Sequence, residues 1–114
     1  MKNSIKQQLR EKAKSHTITM GVLAVKNTTS GKLFIQGSVN LEALANKIKF
    51  SLKSGQFSNI QLQNDWNNWK EESFIFEFIT VIELQENSYI NYRQEVSKAE
   101  KTAIEEYGAR TELY

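Results

Sequence analysis

The sequence predicts one small α/β domain with the element order α-β-β-α-α-β-α, and three observations carry that expectation. Two β-rich runs, Ile18 to Lys26 and Lys32 to Gln36, flank the turn cluster Asn27-Thr28-Thr29-Ser30-Gly31, the signature of a β-hairpin. The apolar period then changes to that of a helix in Leu41, Leu44, Ala45, Ile48 and Leu52. It changes back to strict alternation in SFIFEFITVIEL, residues 73–84, around Phe74, Phe76 and Phe78. With 114 residues the chain is long enough for one modest core, and 39% hydrophobic with 25% charged residues is ordinary globular composition.

Each element has a local reason. Residues 3–14 carry Ile5, Leu9 and Ala13 at i, i+4 and i+8, an otherwise polar amphipathic helix. The strand at 18–26 is mostly apolar, so it is expected to be buried. Asn40 is the expected N-cap of the first core helix, Glu42 sits near the positive end of its dipole, and Gly55 stops it. Ser58 and Gln61 have capping-box spacing, which predicts a second helix through Leu62 and Trp66 to about Trp69. A last helix is expected over Ser88 to Tyr107, with Val96, Ala99, Ala103, Ile104 and Tyr107 on one stripe and Gly108 closing it. No internal repeat or low-complexity linker is visible. The organisation expected is a helical extension, 1–17, followed by a single domain, 18–114.

Composition removes several kinds of chemistry. There is no cysteine, which excludes disulfides, thiol nucleophiles, iron–sulfur ligation and cysteine zinc sites, and which fits a reducing cytoplasm. Met1 to Ser15 is polar and lysine-rich without an apolar stretch, unlike a secretory signal. No apolar run approaches the roughly 18 residues of a membrane span. The expectation is a soluble, cytoplasmic protein without a membrane partner. A net charge of +2 and a pI near 8.8 permit a polyanionic partner without requiring one.

Motifs in order along the chain sharpen this reading. The first hairpin strand carries Gly21-Val22-Leu23 and the second Phe34-Ile35-Gln36, joined by a passage containing Lys26-Asn27 and Gly31-Lys32. Gly37-Ser38-Val39-Asn40 opens the first core helix, and Leu62-Gln63-Asn64-Asp65-Trp66-Asn67 and Phe74-Ile75-Phe76-Glu77-Phe78 follow. Taken together over residues 20–107, these stretches resemble the GIY-YIG endonuclease family, and in particular its small stand-alone bacterial members. The resemblance implies a three-stranded antiparallel sheet flanked by helices, here with an extra N-terminal helix. It also implies a nuclease chemistry in which a tyrosine near the hairpin helps to deprotonate water, an arginine on the first core helix stabilises the phosphate, and a glutamate on the last helix holds one divalent metal ion. Phosphodiester cleavage needs each of these: proton transfer, a cation at the phosphate, and a metal to stabilise oxygens.

Carried over position by position, the resemblance meets replaced side chains. The two tyrosines fall on Leu23 and Phe34, the arginine on Leu44, and a helper histidine on Ile48. Leucine and phenylalanine transfer no proton, and leucine offers no forked donors to phosphate. Only Glu100 stands where the metal glutamate is expected, with a solvated, lysine-paired helix glutamate as its plainer reading. Leu23, Phe34, Leu44 and Ile48 either expose an apolar patch in the former cleft or widen the core. Lys26, Lys32, Lys47, Lys49 and Lys53 either form a phosphate-binding face or serve as a solvated one. Trp66 and Trp69, at i and i+3, are expected to pack on the sheet, with base stacking as the alternative. His16, the lone histidine, has no partner in sequence.

Three functional readings follow. The first is a catalytically degenerate protein that binds DNA or self-associates. The second is an active Mg2+- or Mn2+-dependent endonuclease using Glu100. The third is a homodimer or apolar-ligand module built on the converted cleft.

Overall fold

The computed structural model describes residues 18–84 and 90–114. The expected helix at 3–14, the extension at 1–17 and His16 lie outside the described residues. Along the chain the elements are β1 (Met20–Asn27), β2 (Leu33–Ser38), α1 (Leu41–Ser54), α2 (Ile60–Trp69), β3 (Phe74–Ile82) and α3 (Tyr92–Gly108). A single 3-10 turn, Glu71–Ser73, leads into β3.

The strands form one antiparallel sheet in the order β2-β1-β3. The hairpin is held by Asn27, whose fully buried side chain accepts from the Thr29 amide at 2.9 Å and donates to the Tyr114 hydroxyl at 3.0 Å. A buried amide satisfied on both ends fixes one turn geometry, and with it the register Lys26↔Leu33 to Gly21↔Ser38. β1 pairs β3 from Asn27↔Phe74 to Met20↔Ile82, with a register shift between Val22 and Leu23.

Period-2 geometry separates the two faces of the sheet. Leu23, Val25 and Phe74 join Leu41, Leu44, Ile48 and Leu52 of α1 and Leu62 and Trp66 of α2 in one core. The opposite face, including Val22 and Ala24, lies under α3, which contributes Val96 and Ala103. Chain residues 112–114 run beside β2: the Leu33 amide donates to Glu112 O at 3.1 Å, and the Tyr114 amide donates to Leu33 O at 2.8 Å.

The caps are partly as expected. Asn40 accepts from the Ala43 amide at 3.1 Å, and Gly55 ends α1 in the left-handed region at φ 78°, where a Cβ would be strained. Glu42 does more than face the dipole, because its carboxylate also accepts from the amide and hydroxyl of Thr19. Burial pushes the Glu42 carboxyl upward, but the Thr19 bonds outweigh it and hold the group below its ordinary value.

Four boundaries differ from the expectation. α2 is capped by Asn59, which accepts from the Leu62 amide at 3.1 Å, and not by Ser58. Gln63, buried on the same helix, accepts from the Phe57 amide and donates to Leu52 O, tying α2 to the end of α1. β2 runs on to Ser38, since Gly37 and Ser38 still pair with β1. α3 starts at Tyr92 behind the cap Asn91, and it ends without a left-handed glycine, because Ala109 is right-handed helical.

Candidate functional site

The site is assembled where α3 crosses β2. Val96 and Glu100 lie one turn apart on the helix face that meets the strand. At Gly37 the approach is so close that a Cβ would sit 2.7 Å from Val96 Cγ1, which is why a glycine stands there. The Gly37 amide donates to Glu100 Oε2 at 2.7 Å, a short bond to a charged acceptor. Around this contact lies an open cavity of about 320 Å³, lined by Gly37, Ser38, Val39, Arg93, Val96, Ser97 and Glu100.

The positions expected from the resemblance, Leu23, Phe34, Leu44 and Ile48, lie elsewhere. Leu23, Leu44 and Ile48 are 0%, 8% and 2% exposed and belong to the core between the sheet and α1/α2. Phe34 packs against that core with its ring edge-on to Phe57 at 5.3 Å. None of the four lines the cavity at Glu100. Of the two alternatives for these positions, the burial of Leu23, Leu44 and Ile48 matches a widened core rather than an exposed patch. Helical periodicity explains the outcome, because Leu41, Leu44, Ile48 and Leu52 form one buried stripe.

The five lysines do not form one face. Lys26 has the parity of Val22 and Ala24 and lines a cavity with Tyr107 and Arg110 on the α3 side of the sheet. Lys49 is on the other side, its ammonium 5.0 Å from the Phe76 ring centroid. Lys32 reaches Glu112 at 3.7 Å, and Lys53 reaches Glu71 at 3.6 Å. Lys47 is exposed and makes no ion pair among the described residues. The two tryptophans also part: Trp66 is buried with its ring 5.2 Å from Phe74, whereas Trp69, the last residue of α2, is 41% exposed.

Arg93 is the residue that sequence reading missed. With Ser97 and Glu100 it stands at i, i+4 and i+7, spacing that places all three on one helix face and was available as a signal. It lines the Glu100 cavity and makes no ion pair among the described residues.

For a divalent ion, the described residues contain no cluster of three or more His, Cys, Asp or Glu. Glu100 alone offers carboxylate oxygen, and one of its two oxygens is already bonded to Gly37. Mg2+ is commonly held by one or two carboxylates together with water and substrate phosphates. The donor set thus fits Mg2+ or Mn2+ only alongside a phosphate ligand, with Arg93 on the cavity wall as an opposing positive charge.

No protein-family model matches the sequence, and no curated protein matches it. Two solved structures share its fold. A mutant of the catalytic domain of intron endonuclease I-TevI superposes with a TM-score of 0.69 at 18% identity, covering 85% of this chain and 92% of that one. The catalytic domain of homing endonuclease I-TevI gives a TM-score of 0.66 at 19% identity, covering 82% and 96%. Among the described residues, no helix is long and apolar enough to cross a membrane. The hairpin, the three-stranded antiparallel sheet, the helices on both its faces and these superpositions lead to one statement: this chain has the GIY-YIG nuclease fold.

Proposed function

We propose that this chain is a catalytically degenerate GIY-YIG-fold protein that serves as a DNA-binding module. The observation that carries the reading is the burial of Leu23, Leu44 and Ile48 in the core, where the fold's nuclease chemistry would need a phenol, a guanidinium and an imidazole. Loss of one electrostatic contact to a transition state typically costs about 10²–10³ in rate. Loss of the base, the arginine and the helper together leaves Glu100 without partners for hydrolysis. Binding needs less, because lysines at phosphates gain from released counterions irrespective of any chemistry. Among the described residues, Lys47 and Lys49 on α1 and Arg93 on α3 are in no ion pair, which leaves these cations available to phosphates.

The test is incubation of the pure protein with supercoiled plasmid in Mg2+ or Mn2+, beside a salt titration of duplex binding. The expected result is intact plasmid with binding that weakens as salt rises. Binding that is absent, or indifferent to salt, overturns the DNA module.

One observation favours a second reading, an active divalent-metal-dependent endonuclease: Arg93 lines the same cavity as Glu100 and supplies a cation from α3 in place of the one missing from α1. Plasmid cleavage that disappears in both Glu100→Ala and Arg93→Ala would establish it and remove the first.

A further inference from the structure

On the α3 side of the sheet, at the end away from Glu100, lies a second cavity of about 260 Å³ that plays no part in the reading above. Its floor is Ala24, Leu33 and Ile79; its walls carry Tyr107, Lys26, Arg110, Glu77, Gly31 and Thr111. We infer that this cavity binds a nucleotide, seating an amino-bearing base on the apolar floor with its phosphate at the rim between Lys26 and Arg110.

The chemistry of the lining selects that ligand. Lys26, Arg110 and Glu77 form no ion pair among the described residues, so two cations and one carboxylate converge on the cavity without neutralising one another. The Arg110 guanidinium lies 4.8 Å from the Tyr107 ring centroid, and its Nε donates to Glu106 O, while the outer N–H groups of the fork make no hydrogen bond among the described residues. The Gly31 carbonyl accepts from the Thr111 hydroxyl at 3.0 Å, which fixes the hairpin turn against the end of α3 and gives the cavity a set shape.

A simple anion would leave the apolar floor unused and would be repelled by Glu77. A fatty acid would leave Glu77 without a donor, and a bare nucleoside would leave both cations without an anion. A nucleotide with an exocyclic amino group meets all of these at once: a flat ring for the floor and the tyrosine, an N–H for the carboxylate, and a phosphate for the cations. Whole drug-sized ligands are enclosed by cavities of roughly 300–1,000 Å³, so this one accommodates a single ring system and leaves the phosphate outside.

The inference stands apart from duplex binding, since Lys47 and Lys49 belong to α1 on the other side of the sheet. Two sources share the chemistry, a free mononucleotide and the terminal nucleotide of a single strand. The experiment is calorimetric titration with AMP, UMP, adenosine, inorganic phosphate, and a short single strand with and without a 5′-phosphate. AMP, or the phosphorylated strand, is expected to bind at least tenfold more tightly than UMP, adenosine, inorganic phosphate or the unphosphorylated strand. Saturation by AMP identifies the free nucleotide as the ligand. Binding restricted to the phosphorylated strand identifies the strand end.

Lys26→Ala combined with Arg110→Ala should weaken that binding tenfold or more, and Glu77→Gln should erase the preference for AMP over UMP. Thermal melting of the variants shows that they are folded, and the Gly31 and Thr111 amide resonances should shift on titration. Failure of both AMP and the phosphorylated strand to bind at millimolar concentration overturns the inference. So does binding unchanged in the folded double variant, or inorganic phosphate binding as well as AMP. Loss of duplex binding in Lys47→Ala/Lys49→Ala with AMP binding retained separates the two sites.

Discussion

Placing an arginine at position 44 puts the fold's expected phosphate ligand back at the position where sequence carry-over locates it. Leu44 is 8% exposed and packed in the core with Leu41, Ile48 and Leu52. Leu44→Arg gives up the burial of a leucine, worth about 1.5–3 kcal/mol, and inserts a charge with no partner there, which costs more. The arginine recovers part of that cost by running its stem along the core and its head toward water. A net loss of about 4 kcal/mol is expected, a large share of the 5–15 kcal/mol that typically holds a domain. At roughly 4 °C per kcal/mol for this size, the melting temperature should fall by about 16 °C. Far-UV circular dichroism during heating reads this directly, and Leu44→Ala, expected to lose about 2–5 kcal/mol, provides the scale for simple cavity formation. A Leu44→Arg protein that melts within about 3 °C of the parent would show that position 44 faces solvent. A gain of plasmid nicking in the same variant would place the side chain at a working phosphate site. Either result refutes the claim that this part of the site has been absorbed into the core.

Three further outcomes are expected. Asn59→Ala should destabilise the protein by about 1 kcal/mol in urea denaturation, whereas Ser58→Ala should change little, because the α2 cap is Asn59. The Tyr114 hydroxyl is pushed up from 10 to about 12 by burial and by its bond to Asp65. The stability this carries is complete below pH 10 and is lost as pH rises from 10 toward 12; solvent around the half-buried ring limits it to about 1 kcal/mol. Tyr114→Phe should flatten that alkaline slope, and the late component of the tyrosinate absorbance titration should disappear with it. Glu100→Gln keeps an oxygen for the Gly37 amide and should melt close to the parent, while Glu100→Ala strands that amide and should lose about 1–3 kcal/mol.

Much of the fold was legible because local and global signals agree. Asn40, the Leu41–Leu52 stripe and Gly55 define α1 without any tertiary knowledge, and the hairpin follows from the turn cluster after Lys26. The α2 cap was misplaced because Ser58 and Asn59 are adjacent and both are good caps. Only the hydrogen bond to Leu62 decides between them. The distribution of the lysines was illegible for a different reason. Which side of the sheet Lys26 takes depends on strand parity and on where α3 packs, and sequence spacing carries neither. The tie between Gly37 and Glu100 spans 63 residues, and the Asn27–Tyr114–Asp65 chain joins a strand, the chain end and a helix. Such contacts exist only after the elements have been placed.

The presence of Glu100 together with apolar residues at positions 23, 44 and 48 has a physical explanation that needs no catalysis. In a domain this small the core has little margin, and every polar group held for chemistry displaces an aliphatic one. Leu23, Leu44 and Ile48 each contribute up to about 1.5–3 kcal/mol of burial, an upper bound because unfolded chains are already partly collapsed. A tyrosine, arginine or histidine there would need water or a partner, and the interior supplies neither to Leu23, which is fully buried. Glu100 is under the opposite pressure. Its carboxylate accepts the Gly37 amide where Val96 leaves no room for a Cβ, so it joins the end of β2 to α3. Stability alone thus accounts for apolar residues at three positions and an acid at the fourth. That is why the presence of Glu100 cannot by itself be taken as a sign of nuclease activity, and why the cleavage assay and the Glu100→Gln melting experiment have to be read together.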